Sequence, residues 1–155
     1  EASFELLARR ELGEVPVYFH CNSFRVIDER RWNAKGELIT ISEATVKLDV
    51  AGEQYMTVAE GNGPVNALDA ALRKVLTPRF PTLANLSLTD YKVRILTPGD
   101  GTGAITRVMI ETSDKTDGHE HIWNTIGVSA NIIDASYNAL RDSLTYKLLR
   151  EKTVI

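Results

Sequence analysis

The sequence predicts an α+β fold in which a unit of three antiparallel strands and one helix occurs twice, related by a pseudo-twofold axis, with the helices packed on the sheets. Three observations lead there. Ala44, Val46, Leu48 and Val50 alternate with Thr45, Lys47 and Asp49. In the second half Thr106, Val108, Ile110 and Thr112 alternate with Arg107, Met109 and Glu111. A period of two marks strands with one buried face. Each half then closes on a helical stripe: Val65, Leu68, Leu72, Val75 and Leu76 in the first, Ile133, Tyr137, Leu140, Leu144 and Leu148 in the second. Finally, the halves align. Residues 57–64 (TVAEGNGP) fall on residues 125–132 (TIGVSANI) without a gap, and Ala67, Ala71, Leu72, Arg73 and Leu76 meet Ala135, Ala139, Leu140, Arg141 and Leu144. Repeat one spans 15–80 and repeat two 86–150, within a domain of 15–155. Residues 1–14 read as a linker helix from a preceding part of a longer chain, because the sequence opens on Glu1 with a helical pattern already running. A ligand site is expected between the two related units.

The elements follow in order. Phe4, Leu7, Ala8 and Leu12 have helical spacing, with Ser3 as N-cap and Gly13 as stop. After Pro16 an extended run covers 17–29, and 32–36 reads as a turn. The strand 44–50 meets its return strand, 54–60, through the tight turn Ala51-Gly52. Gly61-Asn62-Gly63-Pro64 leads into the first long helix, which Pro78 and Pro81 end. A strand over 91–98, the turn GDGTG and a strand over 104–113 open the second repeat. A polar loop (DKTDGHEH), the strand 122–128 and the last helix complete it.

Composition narrows the function. The chain has 155 residues, a net charge of −3 and 43% hydrophobic residues. That suits one compact domain and argues against a nucleic-acid or anionic-membrane partner. No stretch has the length of a membrane span, and the single cysteine, Cys21, fits a reducing cytoplasm.

The glycine turn invites a phosphate reading, since Gly61 and Gly63 allow close approach and helix starts attract anions. A carboxylate suits it equally, and a plain capped turn is the bland alternative. The pattern is neither of the common nucleotide loops, and no lysine follows the glycines. His119-Glu120-His121 places two alternate histidines beside Asp114 and Asp117 without a further metal ligand at suitable spacing. His20 lies alone in an extended run. No nucleophile motif is present, and the paired carboxylates of acid–base catalysis are lacking.

The pieces EGNGPVNALDAALRKVL, DYKVRIL, WNTIGVSANIIDASYNALRDSLTYKL and EASFELLARRELG resemble the C-terminal regulatory domain of the 2-isopropylmalate synthase family, most closely its citramalate synthase branch. The resemblance covers essentially the whole chain. It implies a homodimeric, non-catalytic domain of branched-chain amino-acid biosynthesis that binds isoleucine or, as the alternative, leucine as feedback inhibitor. Acetyl-CoA and a divalent metal belong to an N-terminal TIM barrel that this chain lacks, and no cofactor is expected here. The implied effector residues are Gly63, Val65 and Asn66 at the first helix start, Leu88, Tyr91 and Ile95 on the strand opening repeat two, Thr102 and Ala104 after its turn, and Ala130 and Ile132 at the second helix start. Free N–H groups at both helix starts are expected to take the carboxylate, and the Asn66 oxygen the ammonium. A nucleotide- or phosphate-binding domain, and a dimerisation module without ligand, are the other readings the sequence leaves open.

Overall fold

The computed structural model describes residues 1–155 and divides into two compact units, Val17–Pro81 and the combination of Glu1–Pro16 with Thr82–Ile155. Each holds one three-stranded antiparallel sheet, ordered β1-β2-β3 and β4-β5-β6.

In the first unit β1 is His20–Trp32, β2 is Leu38–Val50 and β3 is Glu53–Gly61. Ala44, Val46, Leu48 and Val50 are buried, as their alternation predicts. Ala51 and Gly52 both take positive φ (51° and 80°), the geometry that matches a two-residue turn to strand twist. The turn expected at 32–36 sits one residue later. Trp32 still pairs with Leu38, and Asn33 organises the bend by accepting N–H bonds from Lys35 and Glu37, both at 2.9 Å. β1 and β2 run past the end of β3, where Gly61 pairs with Ser42, so residues 29–41 form a two-stranded extension. Helix α2, Pro64–Arg79, buries Ala67, Leu68, Ala71, Leu72 and Leu76. Pro78 does not end it. A proline in the last turn forfeits one hydrogen bond, and the Phe80 N–H still closes the helix on the Leu76 carbonyl at 2.7 Å.

In the second unit β4 is Leu86–Ile95, β5 is Thr106–Thr116, β6 is His119–Ser129 and α3 is Ile132–Arg150. The polar loop expected over DKTDGHEH is instead a hairpin. Asp117 and Gly118 (φ 56° and 75°) turn the chain, and His119, Glu120 and His121 pair with Thr116, Lys115 and Asp114. An Asp-Gly pair supplies the two positive φ values that such a turn needs, which outweighs the polarity of its flanks.

The duplication extends to an irregularity. β1 bulges at Asn22, between the pairs Cys21↔Leu48 and Ser23↔Lys47. β4 bulges at Thr89, between Leu88↔Thr112 and Asp90↔Glu111. Matched through these pairs, Phe24 corresponds to Tyr91 and Val50 to Asp114. The second position differs in chemistry. Asp114 is buried with Lys147, whose ammonium donates to Asp114 (2.6 Å), Glu151 (2.7 Å) and Thr116 (2.9 Å). Three acceptors around one buried ammonium offset the cost of removing it from water.

Helix α1, Ala2–Glu11, belongs to this second unit. It ends in a Schellman arrangement, with Gly13 at φ 70°, its N–H on Arg10 and the Glu14 N–H on Arg9. Two expectations fail here. Ser3 does not cap the helix; its hydroxyl accepts the Ile126 N–H at 2.8 Å, tying α1 to the edge of β6. The buried residues are Ala2 and Leu6, not the stripe through Phe4 and Leu7. Packing against α3 selects that face, through Arg10 to Asp142 (2.8 Å) and Tyr146 to Glu5 (3.0 Å). No helix is long and apolar enough to cross a membrane.

Candidate functional site

In the first unit the strand-to-helix turn carries Gly63, Val65 and Asn66. Gly63 is the N-cap of α2 with extended backbone (φ −159°), so any residue could adopt its conformation. The glycine required by packing is Gly61, where a Cβ would stand 2.5 Å from both the Ala67 nitrogen and Asn66 Oδ1. Asn66 folds back over the turn, its Oδ1 accepting the Asn62 N–H at 3.1 Å. One lone pair of that oxygen is thereby used. No side chain caps α2, and Pro64 has no N–H to offer. The first-turn donors at Val65 and Asn66 therefore meet the positive end of the helix dipole without a protein anion or cap.

The second helix start differs, and the expectation of free N–H groups at both starts is corrected. Asn131 stands where repeat one has Gly63, and its Oδ1 accepts from Ile133 (2.9 Å) and Asp134 (3.1 Å). Asparagine is among the best N-cap residues because its short amide reaches these orphan donors. Ala130 and Ile132, on either side of this cap, are exposed.

The strand residues of the second unit form one surface. The bulge at Thr89 puts Leu88 (opposite Thr112), Tyr91 (opposite Ile110) and Ile95 (opposite Thr106) on the face that α3 covers. Without the extra residue, Leu88 and Tyr91, three apart, would point to opposite faces. Leu88 is half-buried, while Tyr91, Val93 and Ile95 remain 41–54% exposed farther along β4. The Tyr91 hydroxyl lies 2.9 Å from Ser136 Oγ, which donates to the Ile132 carbonyl at 2.7 Å. Since that bond uses the serine proton, Tyr91 is the donor. The linkage brings Tyr91 to the start of α3 beside Ile132.

Ile95, Thr106 and Ser129 are neighbours in register, and the Thr106 hydroxyl donates to the Ser129 carbonyl at 3.0 Å. Ile95, Ala104, Ala130 and Ile132 therefore gather at one end of the β4-β5-β6 sheet. Thr102 lies exposed in the 3-10 turn Pro98–Gly103 at the same end, and Ala104, which follows it, is buried. Two residues of this surface escaped the sequence reading. Val93 shares the face by simple alternation with Tyr91 and Ile95, a signal that was available. Ser136 is fully buried and known only through its hydrogen bonds.

The surface offers apolar contact at Val93, Ile95 and Ile132 beside a Tyr91 ring held by its hydroxyl, chemistry that suits a small aliphatic group. The histidine pair offers no comparable chemistry. His119 and His121 are exposed, Glu120 accepts a bond from Ser113 at 2.7 Å, and no group of three or more His, Cys, Asp or Glu residues is placed to hold a metal. His20 is exposed at the start of β1.

The family model of the LeuA allosteric (dimerisation) domain matches residues 1–148. An (R)-citramalate synthase of Geobacter sulfurreducens is 51% identical over 154 residues, covering 99% of this chain and 28% of that protein. An (R)-citramalate synthase of Aquifex aeolicus is 47% identical over 98% of this chain and 28% of its own length. A 2-isopropylmalate synthase of Aquifex aeolicus is 34% identical over 74% of this chain. The chain thus spans little more than a quarter of the length of the citramalate synthases it matches. It belongs to the LeuA allosteric (dimerisation) domain family.

Proposed function

We propose that this chain is the feedback sensor of a citramalate synthase, an acetyl-CoA-dependent acyltransferase whose catalytic barrel and divalent metal lie outside residues 1–155, and that it binds isoleucine. The observation that carries the reading is the exposed apolar face of β4, with Tyr91 tethered through Ser136 to the start of α3. A branched aliphatic side chain is the complement of Tyr91, Ile95 and Ile132. Isoleucine is favoured over leucine by the greater similarity to citramalate synthases than to 2-isopropylmalate synthases. The two ligands are isomers, so shape alone separates them, by about 1–3 kcal/mol. Inhibition then follows from unequal effector affinity in two states of the whole enzyme, which we take to be a homodimer.

Titration calorimetry with isoleucine, leucine and valine tests this. Isoleucine is expected to bind most tightly, and Tyr91→Ala to weaken it about tenfold or more while the domain stays folded. A folded domain that gives no heat with any of the three at millimolar concentration refutes the sensor reading. Unchanged affinity in the variant removes Tyr91 from the site.

A further inference from the structure

We infer that the outward face of α1, formed by Phe4, Leu7 and Leu12, docks against the part of the full-length chain that lies outside residues 1–155. A surface helix ordinarily has one apolar stripe, and α1 has two. The inner one, Ala2 and Leu6, is buried in the second unit. It is held there by Arg10 on Asp142, Glu5 on Tyr146 and Ser3 on Ile126, so the helix cannot roll to hide the other. On the opposite side Phe4 is 77%, Leu7 56% and Leu12 72% exposed, with Ala8 exposed among them. The Arg9–Glu5 pair, at 2.9 Å, flanks this patch as a polar margin. Contiguous apolar exposure of this kind marks an interaction surface.

Its size selects the occupant. A stable contact between separate molecules needs about 20–30 residues a side, far more than one helical face. A segment joined covalently needs less, because its effective concentration is in the millimolar range. The citramalate synthases that match 98–99% of this chain carry nearly three quarters of their length outside the match. The inference rests on family membership and not on the isoleucine reading.

Hydrogen exchange of the full-length protein and of the 1–155 chain tests it, each with and without Phe4→Asp and Leu7→Asp combined. The amides of residues 7–12 are expected to exchange at least about tenfold more slowly in the full-length protein, and the substitutions to erase that difference. The 1–155 variant should keep the melting temperature and sedimentation of its parent. Equal exchange in the full-length protein and the 1–155 chain would overturn the inference. So would a loss of self-association in the substituted 1–155 chain, which assigns the face to a contact between copies.

Discussion

Gly127→Ala is the sharpest probe of how β6 and α3 are joined. Gly127 lies opposite Val108 on the covered face of the sheet. A Cβ there would stand 1.8 Å from the Ala135 carbonyl oxygen, 2.8 Å from its carbon and 3.1 Å from the Ala139 nitrogen. All three are helix backbone, so no side chain can swing aside. An ordinary carbon–oxygen approach is about 3.3 Å, and strand and helix must therefore separate by about 1.5 Å. That displacement pulls apart the bond from the Thr125 hydroxyl to the Ala139 carbonyl, now 2.8 Å and buried. Overpacking costs about 1–3 kcal/mol and the lost hydrogen bond about 1 kcal/mol more. The intrinsic gain from replacing a strand glycine, about 0.5–1 kcal/mol, offsets part of this. The net loss is about 1–3 kcal/mol, a fall in melting temperature of about 3–10 °C for a domain of this size. Thermal unfolding followed by circular dichroism reads it, with Gly103→Ala as control, since a Cβ at Gly103 meets nothing within 4 Å. If the Gly127 variant melts within about 2 °C of the parent, close strand–helix contact is not what demands the glycine.

Other perturbations separate the remaining features. Lys147→Met should destabilise by about 3–5 kcal/mol in urea unfolding, because it strands the Asp114 carboxylate, and adding Asp114→Val, the repeat-one residue, should recover most of the loss; no recovery would show that the pair is not the source. Asn131→Ala should cost about 1 kcal/mol, whereas Gly63→Asn, which installs the same cap on α2, should gain a few tenths, measured as shifts in urea midpoint. Burial holds the Asp69 carboxyl above its usual range, with Arg73 pulling it back. The folded state then retains its proton to higher pH than the unfolded chain, so this group's contribution to stability is present below the unfolded pKa of 3.8 and lost as pH rises through the folded one. The stability of the parent relative to Asp69→Asn should therefore fall as pH is raised from about 4 to 6; a rise would contradict the burial argument.

The candidate site residues came from the resemblance, and local signals supplied only their places on the elements. Tyr91 and Ile95 lie two pairs apart on an alternating strand, and Ala130 and Ile132 bracket a helix start that aligns with Gly63. What could not be read was how those signals are used. Asn131 and Gly63 occupy equivalent caps, yet one closes its helix start and the other leaves it open, a difference that appears only when hydrogen-bond partners are assigned. Asn66 looked like an acceptor awaiting an ammonium, and its oxygen already serves the Asn62 N–H. Ser136, a small polar residue inside a helix, carries no pattern at all until its hydroxyl is seen beside Tyr91.

The sequence by itself determined the two strand–strand–strand–helix repeats, the Ala51-Gly52 hairpin and the buried alternation of β2 and β5. These follow from the period of side-chain direction and from backbone sterics, which act over a few residues. Tertiary structure decided which of the two apolar faces of α1 is buried, since both have helical spacing and only packing on α3 and β6 distinguishes them. It also decided that Asp114, in the place of Val50, is buried with Lys147, and that matching bulges at Asn22 and Thr89 bring Leu88 and Tyr91 to one face. Each depends on partners distant in the chain, and no local period encodes them.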